Sequence, residues 1–139
     1  MVLEPLVWLG GVGQLVLAMG SLAIPRVLGW KQDTQKLRPL TRQVFWTYAG
    51  YIWATNVCFG VLSIFGARLL LARSPLSAAV CLYIWAYWAA RVIIQFTYFD
   101  RRDAPRGSFV RLGEIALVGL FTYLTVVYGA GSLAALGVV

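Results

Sequence analysis

Histidine is absent from this 139-residue chain. Without it there is no imidazole for haem or the usual zinc sites, and no Ser-His triad. Acids are scarce: Glu4, Asp33, Asp100, Asp103 and Glu114 are all there are. They form no paired-carboxylate motif, so the sequence predicts no metal site. The two cysteines, Cys58 and Cys81, make no CxxC pair and read as small buried apolar residues. Charged residues amount to 12% of the chain, roughly half the share of a soluble domain. Too little polar surface is left to cover a soluble fold. An ordinary globular protein, a disordered tail and a secreted disulfide scaffold are all excluded.

What is present is apolar: 60% of the residues are hydrophobic. Four runs are long enough to cross a bilayer core, which takes about 20 apolar residues. The expected spans are 5–25, 41–66, 75–99 and 109–135, making one membrane domain. They are too long for barrel strands and lack alternation. Backbone groups in hydrocarbon must satisfy one another, so each run should be helical. The sequence therefore predicts an all-α, integral membrane four-helix bundle. Local punctuation agrees. Pro25 should stop or bend the first helix and Pro39 should open the second. Ser74-Pro75 reads as an N-cap and first turn, and Ser108 as a cap for the fourth helix. Glu4, the lack of a basic N-terminal residue and the length of the first run point to a retained span, not a cleaved signal. Gly10-Gly11-Val12-Gly13 lies inside that span with no Lys-Ser/Thr after it, so it is no nucleotide loop.

The formal charge of +7 is unevenly placed. Loop 1 holds Arg26, Lys31, Lys36, Arg38 and Arg42, and loop 3 holds Arg101, Arg102, Arg106 and Arg111. Loop 2 holds only Arg68 and Arg73. Basic residues gather on the cytoplasmic side, so loops 1 and 3 should be cytoplasmic and both termini non-cytoplasmic. Such charges meet lipid head groups and give no reason to expect nucleic acid. Trp30, Trp46 and Tyr98 should lie at the inner interface, and Trp8 and Tyr128 at the outer one. Tyr51, Trp53, Tyr83, Trp85 and Trp88 should lie deeper, as helix contacts or the lining of a lipophilic pocket.

Membrane helices associate through small residues and interhelical hydrogen bonds. Gly10, Gly13 and Gln14 share a face of the first span, and Asn56 and Gly60 a face of the second. These are the expected packing residues. Arg91 stands out as a charge about 12 Å in from the end of its span. Such a charge should face the bundle or a wet cavity. Gln95 and Tyr98 lie on its face, and Glu114 at a comparable depth is a natural ion partner. Arg38 and Arg42 enter from the same side, so an anionic ligand could gather these groups into one site.

The segment Arg91 to Ser108, RVIIQFTYFDRRDAPRGS, resembles the third-helix exit of the MAPEG superfamily, membrane-associated proteins of eicosanoid and glutathione metabolism. Arg91, Val92, Tyr98, Ala104 and Pro105 carry the likeness. It implies a homotrimer with outward termini that binds glutathione between subunits near the inner leaflet. It also implies a transferase or isomerase acting on lipophilic electrophiles, or a protein presenting lipids to partners. Arg38, Arg42, Arg91 and Arg106 would then hold anionic groups and Tyr98 would polarise the thiol. The family's second-helix acid has no counterpart here, and its catalytic Arg falls on Gly107, beside Arg106. Two other classes fit the same chain: a non-catalytic subunit of a larger membrane complex, and a small channel or transporter.

Overall fold

The computed structural model describes residues 2–98 and 107–138. Among the described residues there are helices and no strands. In chain order they are α1 (Leu3–Ser21), α2 (Ile24–Val27), α3 (Trp30–Gln35), α4 (Pro39–Phe65), α5 (Ala67–Leu70), α6 (Pro75–Thr97) and α7 (Ser108–Ala135). Four of them, α1, α4, α6 and α7, are long and apolar enough to cross a membrane. The chain is an all-α bundle of the multi-pass membrane type.

Several ends follow the local chemistry. Pro39 and Pro75 sit in the opening turns of α4 and α6, where a missing N–H costs nothing. The Ser77 N–H donates to Ser74 Oγ at 3.1 Å, and Ser77 Oγ donates to the Leu69 carbonyl at 2.6 Å. The turn between α5 and α6 is thereby stitched to both. One expectation needs correction: Ser108 does not cap the fourth helix. Helix α1 ends at Ser21, four residues before Pro25, which has no N–H to donate to the Ser21 carbonyl. Pro25 then sits in the opening turn of α2. Gly29, at φ +68°, then turns the chain into α3, so much of loop 1 is short helix. At α7, Ser108 is the first helical residue and the N-cap is Gly107, with no side-chain cap.

Helix α1 lies between α4 and α7, and α6 packs along α7. The α1–α4 crossing is tight because it is made of glycine. A Cβ on Gly11 would stand 2.8 Å from the Gly60 carbonyl oxygen, and one on Gly60 would stand 3.0 Å from that of Gly11. A Cβ on Gly13 would stand 2.8 Å from Leu120 of α7. Backbones this close gain dispersion contacts, the main attraction between helices in lipid. Around the crossing lies a core of Val7, Phe59, Ile84, Trp88, Phe121, Leu124 and Tyr128.

Candidate functional site

Three polar places stand out, and they differ in depth. The first is enclosed in the bundle. Gln14 of α1 is fully buried. Its Nε2 donates to Tyr128 Oη at 2.7 Å and to the Gly10 carbonyl at 3.2 Å. Trp88 Nε1 donates to Gln14 Oε1 at 3.2 Å. The hydroxyls of Ser63 and Tyr128 share a further hydrogen bond. All four long helices thus meet in one neutral network. Nearby, Tyr87 Oη donates to Asn56 Oδ1 at 2.9 Å, tying α6 to α4. No buried side-chain N or O among the described residues lacks a partner. Ser63 meets the Tyr128 phenol, which is not a general base for it. The network joins the four long helices.

The second place is Arg91. It is half-buried on α6, with its guanidinium carbon 4.9 Å from the centre of the Phe121 ring. Trp88 stacks on the same ring, centroids 5.3 Å apart. Arg91 Nη1 donates to Gln95 Oε1 at 3.1 Å. Tyr98 follows at the end of the helix, 80% exposed. Arg91, Gln95 and Tyr98 therefore form a polar ladder running in from the loop-1 end of the bundle. The contacts of Cys81 with Gly131 and of Trp88 and Arg91 with Phe121 set the α6–α7 register. By that register, half-buried Glu114 stands level with 95–98, nearer the loops than Arg91.

The third place is a groove of about 630 Å³ where α3 folds back on the start of α4. Lys31, Thr34 and Gln35 line it from α3, and Arg42, Gln43, Trp46 and Thr47 from α4. Trp46 Nε1 donates to Thr34 Oγ1 at 3.3 Å. Trp30, Phe45 and Trp46 meet edge to face, with Trp30–Phe45 at 5.0 Å. These contacts hold the two walls together.

The sequence-predicted residues therefore divide. Arg91, Gln95 and Tyr98 share one face. Arg42 lies in the groove, and Arg38 is the exposed N-cap of α4. The Asn56–Tyr87 bond sets Arg91 level with residue 52, so Arg42 stands about 15 Å nearer the loop end. One chain does not bring the two arginines together. Arg106 lies outside the described residues. Gly10, Gln14, Asn56 and Gly60 are buried, and Gly13 is half-buried.

Other placements change. Tyr128 is no outer-interface ring: it is 0% exposed, because Gln14 and Ser63 satisfy its hydroxyl. Of the five deeper aromatics, only Trp88 is enclosed. Tyr51 and Tyr83 are 66% and 64% exposed on the outside of the bundle. Cys58 is exposed while Cys81 is buried, and the Cys81 thiol points at the Leu70 carbonyl. Ser63 lies on the same face of the second span as Asn56 and Gly60 and was expected to bury with them; Gly11 as a packing residue and Lys31 as a groove residue were not singled out. Gly11 was legible, since it lies four residues before Leu15 and beside Gly10 in a glycine-rich turn. No family model, curated protein or solved structure matches the chain.

Proposed function

We propose that the protein sits in the membrane with loops 1 and 3 in the cytoplasm and both termini outside. We further propose that it binds an anionic amphiphile from the inner leaflet, with the head group on the ladder of Arg91, Gln95 and Tyr98. The observation that carries this is Arg91 itself, a charge at membrane depth seated on an aromatic ring. Charged residues at that depth are costly and mark ligand and ion paths. The ladder supplies a route to it from the loop end, and the apolar flank of α6 supplies a surface for a tail. The resemblance of Arg91–Ser108 to the MAPEG superfamily makes glutathione the first ligand to try and a homotrimer the first assembly. Arg38 and Arg106 are then further anion contacts at the same membrane face.

A reporter fused after Val139 should read non-cytoplasmic; a cytoplasmic reading would reverse the topology. Purified protein should be titrated with glutathione and with dodecyl phosphate while thermal unfolding is followed. Ligand at a hundredfold excess over its dissociation constant stabilises by about 2.7 kcal/mol, a shift of several degrees. Arg91→Gln should remove the shift and Arg91→Lys should keep part of it. If neither ligand moves the transition, or Arg91→Gln responds like the wild type, the ligand reading fails. The closed network of Gln14, Ser63, Trp88 and Tyr128 then favours a second reading, a structural subunit of a membrane assembly.

A further inference from the structure

The groove between α3 and α4 is a separate place from the Arg91 ladder, and its chemistry is one-sided. Two cations, Lys31 and Arg42, face it with two amides, Gln35 and Gln43, and the hydroxyl of Thr47; the buried Thr34 hydroxyl already donates to the Trp30 carbonyl at 2.7 Å and serves the wall, not the ligand. No carboxylate is among the lining residues; the exposed Asp33 lies on the same short helix without lining it. The walls are fixed before any ligand arrives, because Trp46 holds Thr34 and the Trp30–Phe45–Trp46 cluster pins α3 to α4. Two converging cations repel each other less when an anion lies between them. A phosphate oxyanion suits this set, as an acceptor for an ammonium, a guanidinium and neutral donors at once.

What lies beside the groove selects the source of that phosphate. Residues three and four apart share a helix face. Above Gln43 and Thr47 that face of α4 carries Gly50, Ala54 and Cys58, all exposed. A Cβ on Gly50 would meet nothing within 4 Å. Tyr51 and Trp53 flank this strip, both exposed, and Trp53 is held in place by donating to the Ala18 carbonyl at 2.9 Å. The result is a shallow track with small residues for a floor and rings for walls. It runs from the phosphate groove along the membrane-spanning part of α4. From Gln43 to Cys58 it is about 22 Å long, comparable to a long acyl chain. Aromatic belts of the Trp30–Phe45–Trp46 kind sit at head-group level, which puts the groove at the depth of lipid phosphates.

We infer that this groove and track form a binding site for an anionic glycerophospholipid, with its phosphate on Lys31 and Arg42 and one acyl chain along Gly50, Ala54 and Cys58. The site does not depend on the ligand reading at Arg91. It holds a lipid of the surrounding leaflet in one orientation, against one helix.

The test uses the full chain in nanodiscs of mixed phosphatidylglycerol and phosphatidylcholine. Retained lipid is counted by native mass spectrometry after release. Wild-type protein should keep phosphatidylglycerol in preference. Lys31→Gln with Arg42→Gln should lower that preference about tenfold or more for each charge removed, the worth of a hydrogen bond between charged groups. The control is Arg26→Gln with Lys36→Gln, which removes the same charge from the same loop outside the groove. It should change the preference less than twofold. An equal loss in both double variants would mean diffuse attraction and would overturn the site. A phosphatidylglycerol with a photoreactive acyl chain should crosslink to the segment 50–58 in wild type, and Ala54→Leu should suppress it. Crosslinks spread evenly over α4, α6 and α7 would overturn the track. Glycerol phosphate, lacking a chain, should leave thermal stability unchanged at millimolar levels. A rise abolished by Lys31→Gln would assign the groove to a soluble phosphate instead.

Discussion

Where α1 crosses α4, a methyl group on Gly11 or Gly60 would collide with backbone; ten residues back along α4, at Gly50, it would touch nothing. The same helix uses the same residue in two ways. Toward the termini end, glycine brings backbones together around a satisfied polar network. Toward the loop-1 end, small residues leave the helix surface shallow beside a groove of cations and rings. The first arrangement makes the bundle one object. The second leaves a surface that something else can occupy. A sequence count of glycines does not separate these roles; the neighbouring helix does.

The largest expected effect tests the closed side of this contrast. Gly11→Leu would push a side chain into the Gly60 carbonyl and Ser63, and overpacking typically costs about 1–3 kcal/mol, at times more. Thermal unfolding in detergent should show a loss at the top of that range or failure to fold. Gly50→Leu, on the open side, should lie within about 0.5 kcal/mol of wild type. Equal losses would erase the distinction between the two halves.

Next comes the polar network. Gln14→Leu leaves the Trp88 N–H without its acceptor and Tyr128 without its donor, a cost of about 1–3 kcal/mol. Tyr128→Phe, which removes one hydroxyl, should cost about 0.6–2 kcal/mol. In the double variant the losses should fall short of their sum, since both act on one network. Strict additivity would show that the two side chains do not cooperate.

A smaller effect belongs to the groove. Trp46→Phe keeps a ring in the aromatic cluster but removes the donor to Thr34. The direct cost should be about 0.5–1.5 kcal/mol. Hydrogen exchange should rise in α3 and not in α1 or α7. The smallest effect is at the opposite end, where Arg68 Nε lies 2.9 Å from Glu4 Oε1. The Arg68 side chain is 86% exposed, and such surface pairs are worth about 0–1 kcal/mol. Glu4→Gln should leave unfolding nearly unchanged.

How much of this was legible beforehand varies with the range of the interaction. The four spans were, because bilayer thickness and backbone satisfaction act on each run by itself. So was the burial of Gln14, Asn56 and Gly60, since a polar or small residue in an apolar helix needs a neighbour. The Ser74 cap was read from two adjacent residues. What failed to show was anything set by partners far along the chain. Tyr128 looks like an interfacial ring until Gln14 and Ser63 come to meet its hydroxyl. Arg42 and Arg91 look convergent until the Asn56–Tyr87 bond fixes the register of α4 against α6. The groove needed α3 to fold back on α4, and nothing in the loop-1 composition announces a helix of six residues.

One hydrogen bond carries a consequence for how the protein is made. Gln14 and Tyr128 are 114 residues apart. At roughly 5–20 residues per second, the ribosome reaches Tyr128 on the order of 10 s after Gln14. For that interval α1 waits in the membrane with an amide whose main partner does not yet exist. A glutamine in that position invites other company, whether a neighbouring nascent helix or a machine that recognises unassembled spans. Tyr128 is thus the residue that ends the wait.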